Sequence, residues 1–270
     1  MQLPGISVIT VVYNDANGIK RTIDSVSSLD YQNIEYIIID GNSADNTVDV
    51  IQANSKIVSK WISEPDSGIY DAMNKGIGMS TGDWLIFMNA GDEFADKDVI
   101  SYIIPYINDY DIIYGSMLRV SDTVQYITKG IISENPDAFD FMHGSLGHQA
   151  SFINRKVFEK TGNYSTEYKL ASDAKFFYDA IVINSARTKY IDKVIAKFSL
   201  GGASSTNQLL YNDERKTFLI KSLGLSVYSR YEELYRMKNN VEMAEAISLY
   251  KWLKKHFYLY RIIRFLGNHI

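Results

Sequence analysis

The run Trp84-Leu85-Ile86-Phe87-Met88 is apolar without alternation, follows Gly82 and stops at the polar turn Asn89-Ala90-Gly91-Asp92-Glu93. A short continuous apolar run bounded by turn signals reads as a fully buried strand. Ahead of it lies an acidic loop, Glu64-Pro65-Asp66-Ser67-Gly68, and then Ile69, Ala72, Met73 and Ile77 at the three-and-four spacing of one buried helix face. A helix thus leads into a buried strand that ends on a carboxylate. In open α/β sheets ligands bind outside the carboxyl ends of the strands, which makes Asp92 a candidate site residue.

Upstream, residues 6–12 (ISVITVV) are rich in β-branched side chains and end at Tyr13-Asn14-Asp15-Ala16-Asn17-Gly18, as a first buried strand would. Ile19, Ile23, Val26 and Leu29 share a helical face. A second strand follows at Tyr36-Ile37-Ile38-Ile39. After the turn Asp40-Gly41-Asn42-Ser43, Val48 and Ile51 open a helix expected to be capped by Ser43 or Asp45. A third strand is expected over 58–62. This alternation predicts a parallel α/β sheet. A dinucleotide-binding domain would need G-x-G-x-x-G after the first strand, so that backbone can approach a pyrophosphate. The turn here is YNDANG, which argues against hydride transfer.

Downstream, a helix is expected over 96–108, interrupted near Pro105, and a strand over 111–114. Between Gly115 and Gly147 the pattern weakens, as in binding loops and lids. Order returns at Gly147-His148-Gln149-Ala150-Ser151-Phe152-Ile153, read as strand-like, and a short helix over 155–160. Phe177, Ala180 and Ile181 mark a helix with Asp173 in its first turn, where the macrodipole favours a carboxylate. Residues 189–198 read as a strand running into Leu200-Gly201-Gly202-Ala203-Ser204-Ser205, and the chain beyond Gln208 is helical in character.

A net charge of -4 argues against a nucleic-acid binder, because affinity for a phosphate backbone comes from neutralising cations. The absence of cysteine excludes a disulfide framework, a thiolate nucleophile and a sulfur-bound zinc site, and fits a reducing compartment. No basic region opens the chain as in a signal peptide, and no run reaches the roughly 20 apolar residues of a spanning helix.

Taken together and in order, ISVITVVYN, IIIDGNSADNT, EPDSGIYDAMNKGIGMSTGDWLIFMNAGD and the later ASD resemble a family 2 inverting glycosyltransferase of the GT-A fold. More narrowly, they resemble the bacterial enzymes that extend lipid-linked O-antigen, capsule or exopolysaccharide repeats. The resemblance implies a Rossmann-like nucleotide-sugar transferase domain over 1–206 with a helical extension over 207–270, acting in the cytoplasm or at the inner membrane surface. The implied activity is hexosyl or N-acetylhexosaminyl transfer from a nucleotide-sugar donor, a UDP-sugar first, to a polyprenyl-diphosphate-linked saccharide.

By position in that family, Val11, Tyr13, Asn14 and Asp40 would hold the nucleoside, while Asp66, Gly68, Asn74, Lys75 and Gly76 would line the donor. Asp173 would be the base that removes the acceptor proton, with Ser172 standing where Glu is common. His148 and Gln149 would contact acceptor or sugar, and Gly201, Gly202 and Ser204 would offer backbone amides to donor phosphates. The metal position departs from the family's Asp-x-Asp. Asn89 and Gly91 occupy its two signature positions and only Asp92 keeps a carboxylate, so Mn²⁺ or Mg²⁺ would rest on Asp92, Asn89 and the donor diphosphate. Each of these residues also has a plain structural reading: Asp40 and Asp92 as turn residues, Lys75 as a solvated helix lysine, Asp173 as a helix N-terminal carboxylate.

Residues 246–270 contain no Asp or Glu but carry Lys251, Lys254, Lys255, Arg261 and Arg264; on a helical wheel the first four gather opposite Leu249, Tyr250, Leu253, Phe257, Tyr260 and Ile263, while Arg264, Ile262 and Phe265 break the separation. Such a segment reads equally as an interfacial anchor on anionic lipid or as a helix packed on the catalytic domain. Two other functions stay open: a sugar nucleotidyltransferase, whose Gly-rich basic N-terminal loop is not found, and a non-catalytic sugar-nucleotide-binding scaffold, favoured by the altered Asp-x-Asp.

Overall fold

A computed structural model describes residues 3–121, 123–133, 135–200 and 207–239. The glycine loop with Gly201, Gly202 and Ser204 and the basic amphipathic segment lie outside the described residues.

Strand β1 (Ile6–Val12) is wholly buried and pairs in parallel with β2 (Ile34–Asp40) on one side and β4 (Trp84–Phe87) on the other. β3 (Lys60–Ser63) continues the parallel set beyond β2. The crossover helices are α1 (Ala16–Ser27), α2 (Thr47–Ala53) and α3 (Ile69–Met79). Strand order therefore reverses at β1, and the crevice outside the carboxyl ends of β1 and β4 is the topological switch point.

The second half of the sheet is mixed. After β5 (Glu93–Phe94) and α4 (Val99–Ile103), β6 (Ile112–Val120) forms a hairpin with β7 (Gln125–Thr128). β8 (Ser151–Asn154) runs antiparallel between β4 and β6, followed by α5 (Arg155–Thr161) and α6 (Ser172–Tyr178). β9 (Thr188–Ser199) lies parallel to β6 and antiparallel to β5, giving the order β3-β2-β1-β4-β8-β6-β9-β5 with β7 attached to β6. Last come α7 (Gln208–Leu223) and α8 (Leu225–Asn239).

Apolar side chains cover both faces of the sheet. Ile19, Ile23 and Val26 of α1 join Val8, Ile38 and Ile86 in one core, and on α3 Met73 and Ile77 are buried. Under α3 and α6 an aromatic cluster forms, with the Tyr164 ring 5.3 Å from Phe87, 5.5 Å from Tyr70 and 5.1 Å from Phe176.

Three local expectations are corrected. β6 does not stop at Tyr114 but continues to Val120, because Gly115 admits the facing backbone: a Cβ there would sit 2.4 Å from the Lys193 carbonyl, where the pairing shifts register. Residues His148–Ala150 form a 3-10 turn ahead of β8 instead of extending the strand. Ser43 is no helix cap. α2 starts after Asn46, and the Asp45 carboxylate accepts from Thr47 N at 3.0 Å.

The chain divides into two compact units, residues 1–218 and 219–270. The first contains the whole sheet. In the second, α8 carries a hydrogen bond from Tyr228 Oη to Glu232 at 2.9 Å. Among the described residues no helix is long and apolar enough to cross a membrane.

Candidate active site

Four side chains from separate elements join at the carboxyl end of the sheet. Asp173, in the first turn of α6, accepts from Ala174 N at 2.8 Å and from Tyr70 Oη at 3.0 Å on Oδ1, while His148 Nδ1 lies 2.7 Å from Oδ2. The ring's far side meets the Asn89 amide, with Nδ2 3.1 Å from Nε2. In this orientation the amide nitrogen donates to Nε2, and a proton on Nδ1 is directed at Asp173. Tyr70 also reaches the Leu170 carbonyl at 2.8 Å, so one phenolic proton faces two acceptors. Burial, and next the Asp173 charge, holds the Tyr70 phenol well above its ordinary value, so it remains a donor.

Asp92 is only 4% exposed. Its Oδ1 accepts from Ser199 N at 3.0 Å and its Oδ2 from Gln149 Nε2 at 3.1 Å, tying the end of β4 to β9 and to the turn that carries His148. Burial pushes its carboxyl up to about 6, opposed by those two hydrogen bonds and by the Arg119 charge. Thr22 braces the turn by donating to the Asp92 carbonyl at 2.8 Å and accepting from Gly91 N at 3.0 Å. Gly91 holds φ +92, a conformation that suits glycine.

The chemistry of this end fits a hard cation in one respect. Asn89 Oδ1 is buried and has no hydrogen-bond partner, the condition of an oxygen waiting for a ligand. Each Asp92 oxygen accepts one hydrogen bond and keeps capacity for more. Among the described residues no group of three or more His, Cys, Asp or Glu is placed to hold a metal, so most ligands would have to come from a bound diphosphate.

The nucleotide-side residues separate into two groups. Tyr13 is 67% exposed beside Gly41 and Asp66: a Cβ on Gly41 would lie 2.6 Å from Asp66 Oδ2 and 3.3 Å from Tyr13 Cδ2. Asn14, at φ +49, accepts from Ala44 N at 2.8 Å and donates its backbone N–H to Ser43 Oγ at 2.7 Å, so the ends of β1 and β2 form one rim. Gly68, at φ +123, donates to Asp66 Oδ1 at 2.9 Å and fixes that carboxylate ahead of α3.

The remaining expected donor residues are engaged in holding the fold. Asp40 is fully buried and accepts from Ser43 N at 3.0 Å, from Ser43 Oγ and from Ser63 Oγ at 2.6 Å, so its carboxylate anchors the turn. Val11 is buried, with its carbonyl accepting from Ala90 N at 3.1 Å. Asn74 pairs twice with the Tyr164 backbone, at 2.8 and 3.0 Å. Lys75 closes the 64–66 loop through Pro65 O and Glu64 Oε1, both at 2.8 Å. Gly76 packs on the sheet, where a Cβ would meet Ile9 Cγ2 at 2.4 Å.

The sequence matches Glycosyl transferase family 2 over residues 7–174. The chain belongs to that family. It is 32% identical over 212 residues to an uncharacterized glycosyltransferase of Mycobacterium tuberculosis, covering 75% of this chain and 78% of the relative. It is 27% identical over 217 residues to a PGL/p-HBAD biosynthesis glycosyltransferase of Mycobacterium bovis, covering 76% and 81%. Staphylococcus aureus TarS 1-349, solved with UDP-GlcNAc, superposes with a TM-score of 0.67 at 15% identity, over 81% of this chain and 66% of that one. The mannosyltransferase PcManGT of Pyrobaculum calidifontis, solved with GDP-Man and Mn²⁺, gives 0.60 at 14% identity over 93% and 80%. At such identities these likenesses establish the GT-A fold alone.

For a family 2 glycosyltransferase, four residues at or beside the site escaped the sequence reading. Tyr70 sits one residue beyond the Ile69 that begins the buried stripe, so periodicity marks it as filler. Thr22 has the helix spacing of a core position. Arg119, whose guanidinium lies 4.8 Å from the Phe198 ring centre and whose charge acts on Asp92, comes from the stretch where β6 lost its pattern. Glu214 lies on α7, beyond the matched segment.

Proposed function

We propose that this glycosyltransferase moves one sugar from a nucleotide-sugar donor, a UDP-sugar first, to a saccharide carried on polyprenyl diphosphate, inverting an α-configured donor to a β linkage in bacterial surface-glycan synthesis. The reading is carried by one observation: Asp173 presents a partly exposed carboxylate whose donors are fixed from three directions, at the switch point of the sheet.

Inversion needs a base that takes the proton of the acceptor hydroxyl while the nucleoside diphosphate leaves from the opposite face. Asp173 suits that task before and after proton transfer. Before it, His148 and Tyr70 donate to the charged carboxylate. After it, the new O–H has an acceptor in Tyr70 Oη, whose own proton then turns fully to the Leu170 carbonyl.

On the donor side Tyr13, Gly41 and Asp66 form the mouth in which a nucleoside would stack and hydrogen-bond. Asn89 Oδ1 and Asp92 would hold Mn²⁺ or Mg²⁺, which would neutralise charge on the leaving diphosphate. The site lies in the first unit, and the expectation that the basic C-terminal segment meets a membrane surface remains part of this proposal.

The test is nucleoside diphosphate release from UDP-, GDP- and dTDP-sugars with a synthetic lipid-diphosphate saccharide as acceptor, with product anomers assigned by NMR. A β-linked product from an α donor supports the reading. An α-linked product overturns inversion, and donor binding without turnover across a wide acceptor set makes the chain a scaffold.

A further inference from the structure

Helix α7 lies outside the segment that matches the family, yet one of its faces carries Tyr211, Glu214, Arg215 and Phe218 at three-and-four spacing. These residues belong to the first compact unit. Phe218 is buried, its ring 6.2 Å from Tyr168 and 5.9 Å from Tyr178, and this contact seats the helix.

Glu214 then accepts from three successive backbone N–H groups, Lys169 at 2.7 Å, Leu170 at 2.8 Å and Ala171 at 2.9 Å. That loop ends at the residue before α6, two positions ahead of Asp173, and contains the Leu170 carbonyl to which Tyr70 is bound. The neighbouring Arg215 donates from one guanidinium nitrogen to the carbonyls of Phe141 at 2.6 Å and Gly144 at 2.8 Å, in the turn that leads through Gly147 into His148. One helical turn thus grips the two loops that deliver the base and its imidazole partner. Tyr211 on the same face has its phenol pushed up to about 12 by burial, with the Asp173 charge acting in the same direction, so this face lies within the field of the base.

We infer that Glu214 and Arg215 are positioning residues for sugar transfer: acting through the 169–171 and 141–144 backbones, they hold Asp173 and His148 at the 2.7 Å contact seen between them. The inference rests on Asp173 being the base. Its physical content is that three amides converging on one carboxylate form a stiff, charge-assisted clamp, and a displacement of about 1 Å at a reacting group can lower the rate about 10²-fold.

The test uses the full chain with Glu214→Gln, Arg215→Lys, Asp173→Asn and the Asp173→Asn/Glu214→Gln pair, assayed with whichever nucleotide sugar of the panel turns over. A glutamine keeps the volume of Glu214 but turns an NH₂ donor toward amide donors. The expected result is a kcat about 10- to 100-fold lower in Glu214→Gln, an unchanged donor KM, and no further loss in the pair over Asp173→Asn alone. An unchanged kcat, or the same fold loss on both backgrounds, overturns the inference and leaves Asp173 as the base. Wild-type turnover in Asp173→Asn overturns the base assignment and the inference with it.

Amide hydrogen exchange supplies a readout that needs no substrate. Glu214→Gln must speed exchange at residues 169–171 and also at 173–174, and Arg215→Lys at 147–148. Exchange unchanged at 173–174 in Glu214→Gln, or at 147–148 in Arg215→Lys, means that the clamp does not reach Asp173 or His148 and overturns the inference.

Discussion

His148 Nδ1 lies 2.7 Å from Asp173 Oδ2, and the two side chains reach that contact from different elements: a 3-10 turn ahead of β8 and the first turn of α6. Neither is a neighbour of the other in sequence, and each is also tied to the β4–α3 half of the domain, His148 to Asn89 and Asp173 to Tyr70. The proposed base is therefore held by groups that do not themselves have to touch a substrate.

Removing those donors one at a time separates their contributions. A hydrogen bond to a charged group contributes about 1.5–3 kcal/mol, so His148→Gln should lower kcat about 10- to 100-fold, and Tyr70→Phe, which leaves the His148 contact in place, should lower it less. Donor affinity measured by calorimetry should stay unchanged in both. A raised donor dissociation constant in either would instead put that residue in the nucleotide pocket.

Asp92 makes the fold sensitive to pH. Its carboxyl is raised from 3.8 to about 6 by burial, so its contribution to stability is complete below pH 3.8 and is lost as pH rises through about 6, where a buried charge must form. Asp92→Asn should therefore melt at a higher temperature than wild type at pH 7.5, by an equivalent of about 1–3 kcal/mol, and the gain should vanish near pH 4. Thermal melts across pH 4–8 check this, and a gain that is constant with pH would place the effect elsewhere. Mn²⁺ with UDP should raise the wild-type transition and leave that of Asp92→Asn in place.

The rim at Gly41 should control donor binding. A methyl there meets Asp66 Oδ2 at 2.6 Å, the oxygen that Gly68 does not hold, and a small turn of the carboxylate about Oδ1 relieves the contact, so Gly41→Ala should fold normally and raise donor KM severalfold with little change in kcat. Steady-state kinetics with the working nucleotide sugar measure it, and an unchanged KM would remove Tyr13, Gly41 and Asp66 from the pocket.

Gly76→Ala should do the opposite. Its Cβ would enter the space of Ile9 Cγ2 under α3, an overpacking that costs about 1–3 kcal/mol, so the melting temperature should fall while the KM of the surviving protein stays the same. A KM that rises at constant stability would restore Gly76 to the donor site.

These cases show which features the residues declare. The parallel half of the sheet, α3 and the carboxylate turn at Asp92 were legible because burial on both faces leaves long apolar runs and punctuated turns. Asp173 was legible as a helix-start carboxylate, and its partners were not, since no periodicity relates Tyr70, His148 and Asn89. β7 carried no burial signal because Tyr126 and Ile127 are exposed. The partners of a side chain were the commonest loss: nothing in the sequence ties Asp40 to the Ser43 and Ser63 hydroxyls. α7 gave no such signal because the face toward the 169–171 and 141–144 loops carries Tyr211, Glu214 and Arg215, and a half-buried polar face leaves no apolar stripe.

The most direct measurement is turnover of Asp173→Asn beside wild type, with donor binding to each followed by calorimetry. An asparagine keeps the shape and the acceptor oxygen for Tyr70 or His148 but cannot take a proton at neutral pH. The account predicts a kcat lower by about 10²–10⁴-fold with donor affinity unchanged. Turnover within a few fold of wild type would contradict it, and would mean that the proton of the acceptor leaves by another route.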